Sequence, residues 1–176
     1  MKRILNIAAI AVLLLGLAAC QKDDTSSANN SSQGENTLKN DVTRPFKAHS
    51  AGTIAIVYSE ENECYPEFPQ VQFIGTGTGT HIGKHTSEWY VCINSLGGLE
   101  GIFYGILTAA DGDKIYFSQP DLSVFTIDEY GNVTGEFDIT GGTGRFEGAT
   151  GHFDTYGVDD FVNMTFDIYS EGYITY

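Results

Sequence analysis

Cys64 and Cys92 are the residues with the clearest potential for covalent chemistry. In an oxidising compartment such a pair is most simply a disulfide, which would tie the loop between Tyr58 and Gln70 to the strand that contains Trp89. Closing that loop is expected to stabilise the fold by about 3–4 kcal/mol. Two buried thiols or a cysteine nucleophile are the alternatives. We predict the disulfide.

Metal binding by His81 and His85, four residues apart, is a second possible chemistry. That spacing suits a metal on a helix, but on an extended strand it separates the two Cα atoms by about 13 Å. Only a turn or bulge at Gly83 could bring the imidazoles together, and zinc would still need further ligands. We therefore expect hydrogen-bonded imidazoles at the junction of a strand and a turn, and no metal.

Carboxylates occur in two close pairs, Asp111 with Asp113 and Asp159 with Asp160, and in the run Glu-Glu-Asn-Glu at residues 60–63. A calcium site needs six or more oxygen ligands, and the sequence lacks the pattern of a helix–loop–helix calcium site. We interpret both pairs as turn-forming and solvated, and the run as a solvated loop. Glycoside hydrolysis by a pair of acids remains an alternative, because the two carboxylates need only be close in space.

Motifs and charge exclude several classes of function. The sequence contains no serine nucleophile elbow, zinc-protease motif or dinucleotide fingerprint, so we assign no catalytic residue and no cofactor. The chain has 9 Lys+Arg against 23 Asp+Glu, a formal charge of −14. Nucleic acids are bound through clustered Lys and Arg, so this balance argues against a nucleic-acid partner. It also argues against adsorption to anionic lipid through a basic face.

The elements that must position these residues are β-strands. Residues 161–169 (FVNMTFDIY) alternate at period two, which predicts a half-buried strand with Val162, Met164, Phe166 and Ile168 on one face. No segment after the first twenty residues keeps a helical period. Other β-rich runs occupy residues 71–80, 99–109, 114–117, 124–127 and 136–140.

Close turns separate these runs and make neighbouring strands antiparallel. The dipeptide Asp-Gly at residues 111–112 is a strong hairpin signal, and glycines within residues 97–98 and 130–132 mark two further reversals. With seven to nine such strands, we expect a closed barrel or a sandwich. Every Phe, Tyr and Trp lies at or after Phe46, so we predict one folded domain over residues 43–176.

The run GTGTGT at residues 75–80 alternates glycine with threonine. In a strand all three glycines lie on one face and all three threonines on the other. Glycine in a strand marks a bend or a close approach of backbones, so we predict a tightly curved barrel wall with room inside for bulky neighbours. A ligand-binding threonine ladder is the alternative.

The first twenty residues are predicted to direct the chain to a bacterial envelope. Lys2 and Arg3 precede an apolar stretch that is short for a membrane span and ends in Leu-Ala-Ala-Cys at residues 17–20. This end resembles the lipobox of bacterial lipoproteins, whose cysteine receives a diacylglycerol before signal peptidase II cuts and the new amine is acylated, for example with palmitate. The resemblance implies cleavage of residues 1–19 and a membrane-lipid anchor on Cys20. An uncleaved helix or a plain secreted protein is the alternative.

The residues after the cysteine resemble a second localisation signal. Lys22, Asp23 and Asp24 resemble the short signal that exports some Gram-negative lipoproteins to the outer surface of the outer membrane. The following residues are rich in Ser, Asn, Thr and Gly and lack aromatic residues. We therefore expect residues 20–42 to form a flexible tether.

Two segments of the predicted domain resemble a known family. Residues 139–151 (ITGGTGRFEGATG) look like the GGTGRFxGAxG turn of dirigent proteins and allene oxide cyclases. Together with residues 77–86 (GTGTHIGKHT) and 108–113 (TAADGD), they resemble secreted bacterial proteins related to that group. The resemblance implies an all-β, eight-stranded antiparallel barrel around a mainly apolar cavity. The cavity carboxylates of the plant enzymes have no match here, so no catalytic residue is carried over.

The glycine-rich turn itself is expected to have a structural role. Its glycines allow positive φ, Phe146 can plug one end of the barrel, and Arg145 can reach a nearby carboxylate or carbonyl. A phosphate-binding loop is the alternative, but no Gly-Lys-Ser/Thr follows and the net charge is negative. The residues to which we assign this motif are Gly141, Gly142, Gly144, Arg145, Phe146 and Gly148.

The function expected from these observations is binding, with no enzymatic activity favoured. We expect a surface-anchored barrel that binds an apolar or amphipathic small molecule or a partner protein. A cyclase-like enzyme is the first alternative, and an inward-facing acid or histidine with a shifted pKa would indicate it. An envelope interaction or inhibitor protein, steered to a cationic partner by its negative charge, is the second. A barrel filled by its own side chains, with no pocket left, would contradict both cavity hypotheses.

Overall fold

Nine antiparallel strands make up most of the folded chain. The computed structural model describes residues 41–176, so the predicted signal peptide, Cys20, Lys22, Asp23, Asp24 and the tether up to residue 40 lie outside the described part. Within the described part, no helix is long and apolar enough to span a membrane. The strands are β1 Thr43–Val57, β2 Gln70–Gly79, β3 Gly83–Ile93, β4 Leu99–Ala109, β5 Lys114–Gln119, β6 Thr126–Ile127, β7 Asn132–Gly142, β8 Thr150–Asp160 and β9 Thr165–Thr175.

The strands close into an eight-stranded barrel. The order of hydrogen-bonded neighbours is β5-β4-β3-β2-β1-β9-β8-β7-β6, and β5 also pairs with β7. The β5–β7 pairing completes the ring, while the two-residue β6 only extends the edge of β7. The predicted antiparallel barrel is confirmed, and its closure gives one face of every barrel strand to a common interior.

Aromatic side chains fill most of that interior. The Trp89 ring lies with its centroid 4.5 Å from that of Phe117 and 5.3 Å from that of Phe137. Phe137 in turn stacks on Phe153 at 5.5 Å. Phe73, Phe103 and Phe166 continue the same packed cluster. The interior is therefore mainly apolar, as the family resemblance implied.

The glycine run lies where two strands approach closely. Gly75 and Gly77 face the interior, and a Cβ atom at either position would collide with a backbone oxygen of β1. It would also come within 2.8 Å of the Phe166 ring at Gly75 and of the His85 imidazole at Gly77. Thr76 between them is exposed on the outer surface. The prediction of a curved wall with bulky neighbours inside is confirmed.

The strand predicted for residues 161–169 is wrong in its first half. Residues 161–164 form a turn between β8 and β9, in which Val162 is 92% exposed and Met164 has a φ of 54°. The Asp160 carboxylate accepts hydrogen bonds from the backbone N–H groups of Val162 and of the next residue, both at 2.9 Å. This local capping outweighs the alternation. The apolar residues of the second half face the interior as predicted.

The strand predicted for residues 124–127 is also shorter than expected. A 3₁₀ turn covers Leu122–Val124, and the Asp121 carboxylate caps it by accepting a hydrogen bond from the Ser123 N–H. Only Thr126–Ile127 pair with β7. The segment between β5 and β7 is therefore mostly a loop that crosses one end of the barrel.

The predicted disulfide is present between Cys64 and Cys92. It links the loop before β2 to the end of β3, as the sequence indicated. This loop is one of four that share an end of the barrel, which we call the long-loop end: residues 58–69, 94–98, 120–131 and 161–164. The opposite end, which we call the short-turn end, carries residues 80–82, 110–113 and 143–149.

Candidate functional site

The candidate site is a small cavity inside the barrel, towards the long-loop end. The last inward-facing residue of β8, Asp159, reaches it and is only 3% exposed. The inward positions of the neighbouring strands supply aromatic walls. The principal lining residues are Phe73, Trp89, Phe103, Phe125, Phe166 and Asp159.

The Asp159 carboxylate lies in this cavity without a partner. Its Oδ1 atom is buried and accepts no hydrogen bond. Burial disfavours the charged form and raises the pKa of Asp159 to about 7. A carboxyl group with such a pKa can hold or release a proton near neutral pH.

The interpretation of Asp159 as a solvated turn residue is therefore wrong. Its neighbour Asp160 does have that role, because backbone N–H groups and the Asn163 side chain donate to it. These hydrogen bonds lower the pKa of Asp160, whereas burial raises that of Asp159. Two adjacent aspartates thus have opposite environments because alternate residues of a strand face opposite sides of the sheet.

The two-residue alternation of β8 would have predicted that Asp159 faces the interior. Phe153 and Thr155 face the interior, and counting on by twos from Phe153 reaches Asp159. The adjacent acid pair suggested a turn and hid this periodicity.

The other polar groups of the cavity are few. The indole Nε1 of Trp89 is buried and has no hydrogen-bond acceptor. The Thr155 hydroxyl donates to the Tyr169 carbonyl oxygen at 3.0 Å, so it is already engaged. The lining residues therefore include one carboxyl group and one indole N–H without hydrogen-bond partners, within an aromatic wall.

The cavity is much smaller than the resemblance suggested. Its free volume is about 20 Å³, close to that of one water molecule. Phe125, from the loop between β5 and β7, packs against Phe103 with ring centroids 5.0 Å apart. Its ring lies over Gly135, where a Cβ atom would be 2.5 Å from it. Phe125 lines the cavity and is itself only partly buried, so its side chain borders both the cavity and the solvent.

Charge is divided between the two ends of the barrel. The loops of the long-loop end carry four Glu in residues 58–69, and two Asp and one Glu in residues 120–131, but no Lys, Arg or His. The Lys and Arg side chains within residues 41–176 lie towards the short-turn end. They are Arg44, Lys47, Lys84, Lys114 and Arg145. The cavity thus lies at the acidic end of an electrostatically polarised barrel.

The two histidines singled out from the sequence lie at the short-turn end. His81 follows β2 in a turn and its Nε2 atom lies 3.1 Å from the Pro45 carbonyl oxygen. His85 is buried, with Nε2 3.0 Å from the Ser50 hydroxyl, and burial lowers its pKa. Among the residues that the structure describes, no three His, Cys, Asp or Glu side chains converge as metal ligands would.

The glycine-rich turn closes the short-turn end. Phe146 is fully buried and packs against Tyr176 with ring centroids 5.0 Å apart. Arg145 pairs with Asp111, lies 3.5 Å from Asp113, and stacks on the Phe146 ring. These carboxylates lie in the β4–β5 turn, so the ion pairs join two turns. Of the remaining motif residues, Gly141 and Gly142 end β7, and Gly144 and Gly148 have φ of 59° and 74°.

Threonines of the glycine run line a separate depression on the outer surface. Thr76 and Thr78 border it together with Lys84, Thr86 and Thr108. Its volume is about 650 Å³, but it is shallow and open to solvent. The threonines of the predicted ladder therefore lie on the outer surface, away from Asp159.

Comparison with known proteins identifies the class of fold. No family model matches the chain, and no curated protein matches its sequence. Among solved structures, the pterocarpan synthase dirigent protein GePTS1 superposes with a TM-score of 0.50 at 15% identity, covering 77% of this chain and 84% of that one. The pterocarpan synthase dirigent protein PsPTS1 gives 0.47 at 14%, covering 77% and 95%. The protein therefore has a dirigent-like β-barrel fold, and at this identity the likeness extends no further than the fold.

Replacing Asp159 by Asn should stabilise the protein above neutral pH. The folded state keeps the Asp159 proton up to about pH 7, whereas an unfolded Asp loses it near pH 3.9. The contribution of this group to the free energy of unfolding therefore falls as pH rises from about 4 to 7, and it is constant at higher pH. The upper limit of the loss is roughly 4 kcal/mol.

Urea denaturation of wild type and Asp159→Asn between pH 4.5 and 8.5 measures this effect. The buried His85 contributes the opposite slope, because its lowered pKa makes stability rise with pH. The difference between the two curves removes that contribution. It should grow with pH up to about 7, and a difference independent of pH would contradict the account. Asp160→Asn is the matched control and should not stabilise at high pH.

Proposed function

We propose that this protein binds a small apolar or amphipathic molecule at the Asp159 cavity, without transforming it. The observation that carries the proposal is one carboxyl group, buried and unpaired, in a wall of aromatic side chains. Binding sites for small molecules combine an apolar lining with a few polar groups that orient the ligand. An unpaired buried polar atom costs stability, which a ligand that pairs with it would recover.

Binding of anything larger than water requires Phe125 to move. The side chain lies at the cavity mouth on a loop whose only strand pairing is the two-residue β6. Outward rotation of Phe125 would join the cavity to the surface without breaking a barrel strand. We therefore assign this residue the role of a gate.

A cyclase-like enzyme is the second candidate, and the shifted pKa of Asp159 favours it. Such a group could donate or accept a proton at neutral pH. Catalysis also needs donors or charges arranged for the transition state. Among the principal lining residues only Asp159 titrates, and Trp89 offers the one free N–H donor. This sparse set suits orientation of a ligand better than catalysis.

We also propose that the barrel is a lipoprotein domain held at the outer surface of a Gram-negative outer membrane. The support is the sequence pattern around Cys20 and the acidic pair Asp23 and Asp24. Two or more acyl chains give stable anchoring, so an acidic protein needs no basic patch to remain on the membrane.

Mass spectrometry of the protein extracted from membranes tests the anchor directly. The N-terminal peptide should begin at Cys20 and carry the mass of a diacylglycerol and an amide-linked acyl chain. Replacing Asp23 and Asp24 together by Ala should then reduce labelling by an impermeant reagent on intact cells. An unmodified Cys20 peptide would contradict the anchor, and unchanged labelling would contradict surface export.

Replacing Phe125 by Ala should increase binding of a small neutral aromatic probe such as phenethyl alcohol. The substitution opens the cavity by about the volume of the lost ring, so we expect at least a tenfold lower Kd. The loss of stability should stay below the value of about 3–5 kcal/mol for a fully buried phenylalanine, because Phe125 is partly exposed. Fluorescence of Trp89, which lines the cavity, measures the affinity in titrations of the full chain. The partly exposed Val124 on the same loop supplies the control, because Val124→Ala should leave the affinity within about twofold. Equal Kd values for wild type and Phe125→Ala would contradict the gate.

A further inference from the structure

We propose that the ligand of this cavity is an organic cation, an amine or quaternary ammonium group attached to an apolar body. The inference rests on the proposed binding function and specifies its ligand class. Its structural basis is the combination of the unpaired Asp159 carboxylate, the aromatic walls and the acidic end of the barrel.

The first argument is the charge balance inside the cavity. Asp159 is only 3% exposed to solvent. No basic side chain is among the residues that line the cavity with it. A buried carboxylate without a counter-ion is stabilised most by a ligand that brings a positive charge. A neutral ligand could offer only a hydrogen bond, and an anion would be repelled.

The second argument is the chemistry of the walls. Trp89 and four phenylalanine rings line the space beside the carboxylate. The faces of aromatic rings attract ammonium groups, and this attraction strengthens when water is excluded. The same rings accept the apolar part of the ligand. A carboxylate within an aromatic wall therefore matches both parts of an amphipathic cation.

The third argument is the field outside the cavity. The loops of the long-loop end carry seven acidic side chains, and the described Lys and Arg residues lie towards the other end. A cation approaching this end is attracted along its path, while an anion meets a barrier. The field therefore favours a positively charged ligand, as the Asp159 carboxylate does.

A matched set of probes tests the charge preference. Phenethylammonium, phenethyl alcohol and 3-phenylpropionate share an aromatic body and differ in charge. Titrating each into the full chain at pH 8, where Asp159 is largely ionised, can be followed by tryptophan fluorescence. Because Trp89 is the single tryptophan of the sequence and lines the cavity, its fluorescence reports on changes beside the cavity.

The expected order of affinity is cation, then alcohol, then anion, with at least a tenfold lower Kd for the ammonium than for the alcohol. Asp159→Asn should abolish the difference between these two probes and leave alcohol binding within about threefold. Asp160→Asn removes the same charge from the adjacent, partly exposed residue and should keep the tenfold preference. Both variants can be measured in the Phe125→Ala background, where binding is expected to be tighter.

Two results would overturn the inference while leaving the binding function intact: equal affinity for ammonium and alcohol, or a preference that persists in Asp159→Asn. The second would mean that cations bind the acidic loops instead of the cavity, and raised salt would then abolish it. If none of the probes changes Trp89 fluorescence, even with Phe125→Ala, the proposed binding function itself is wrong.

Discussion

The pairing of β5 with β7 is the contact on which the rest of the structure depends. It turns an open nine-stranded sheet into a ring, so that the inward positions of eight strands share one interior. Aromatic residues then bury each other there, and any polar side chain at an inward position loses water. The environment of Asp159 follows from this closure. On an open sheet the same residue would be an ordinary exposed acid.

The barrel has two ends with different construction. At the short-turn end, Phe146 fills the interior and Arg145 joins two turns through Asp111 and Asp113. At the long-loop end, the disulfide fixes one loop. The loop that carries Phe125 pairs two residues with β7, accepts a hydrogen bond from the Asp159 N–H through the Gly131 carbonyl oxygen, and packs through ring contacts. The two ends are therefore closed in different ways, and the unpaired carboxylate lies towards the long-loop end.

The sequence predicted the parts of this fold that depend on local pattern. Alternation and turn residues gave the antiparallel barrel, the GTGTGT run gave the curved wall, and two cysteines gave the disulfide. The errors occurred where a side chain competes with the pattern. Asp160 caps a turn inside an alternating run, and Asp121 shortens a predicted strand in the same way.

The site was harder to predict than the fold, since it depends on distant contacts. Asp159 could have been placed inside by counting from Phe153, but its lack of a partner is a property of the closed barrel. The near-complete filling of the interior could not be predicted from the sequence either, because cavity size depends on how the rings of several strands pack together. No pattern in the sequence predicted that Phe125 would line the cavity, because its position over Gly135 requires a loop to fold back across the barrel.

The most direct test of this account is an NMR titration of the side-chain carboxyl carbons of Asp159 and Asp160 in the unliganded protein. The two residues are adjacent in sequence, so each is the control for the other. We predict a midpoint of about 7 for Asp159, and for Asp160 a midpoint below the ordinary value of an aspartate. A midpoint near 4 for Asp159 would show that its carboxylate is solvated or paired, and would contradict the central claim.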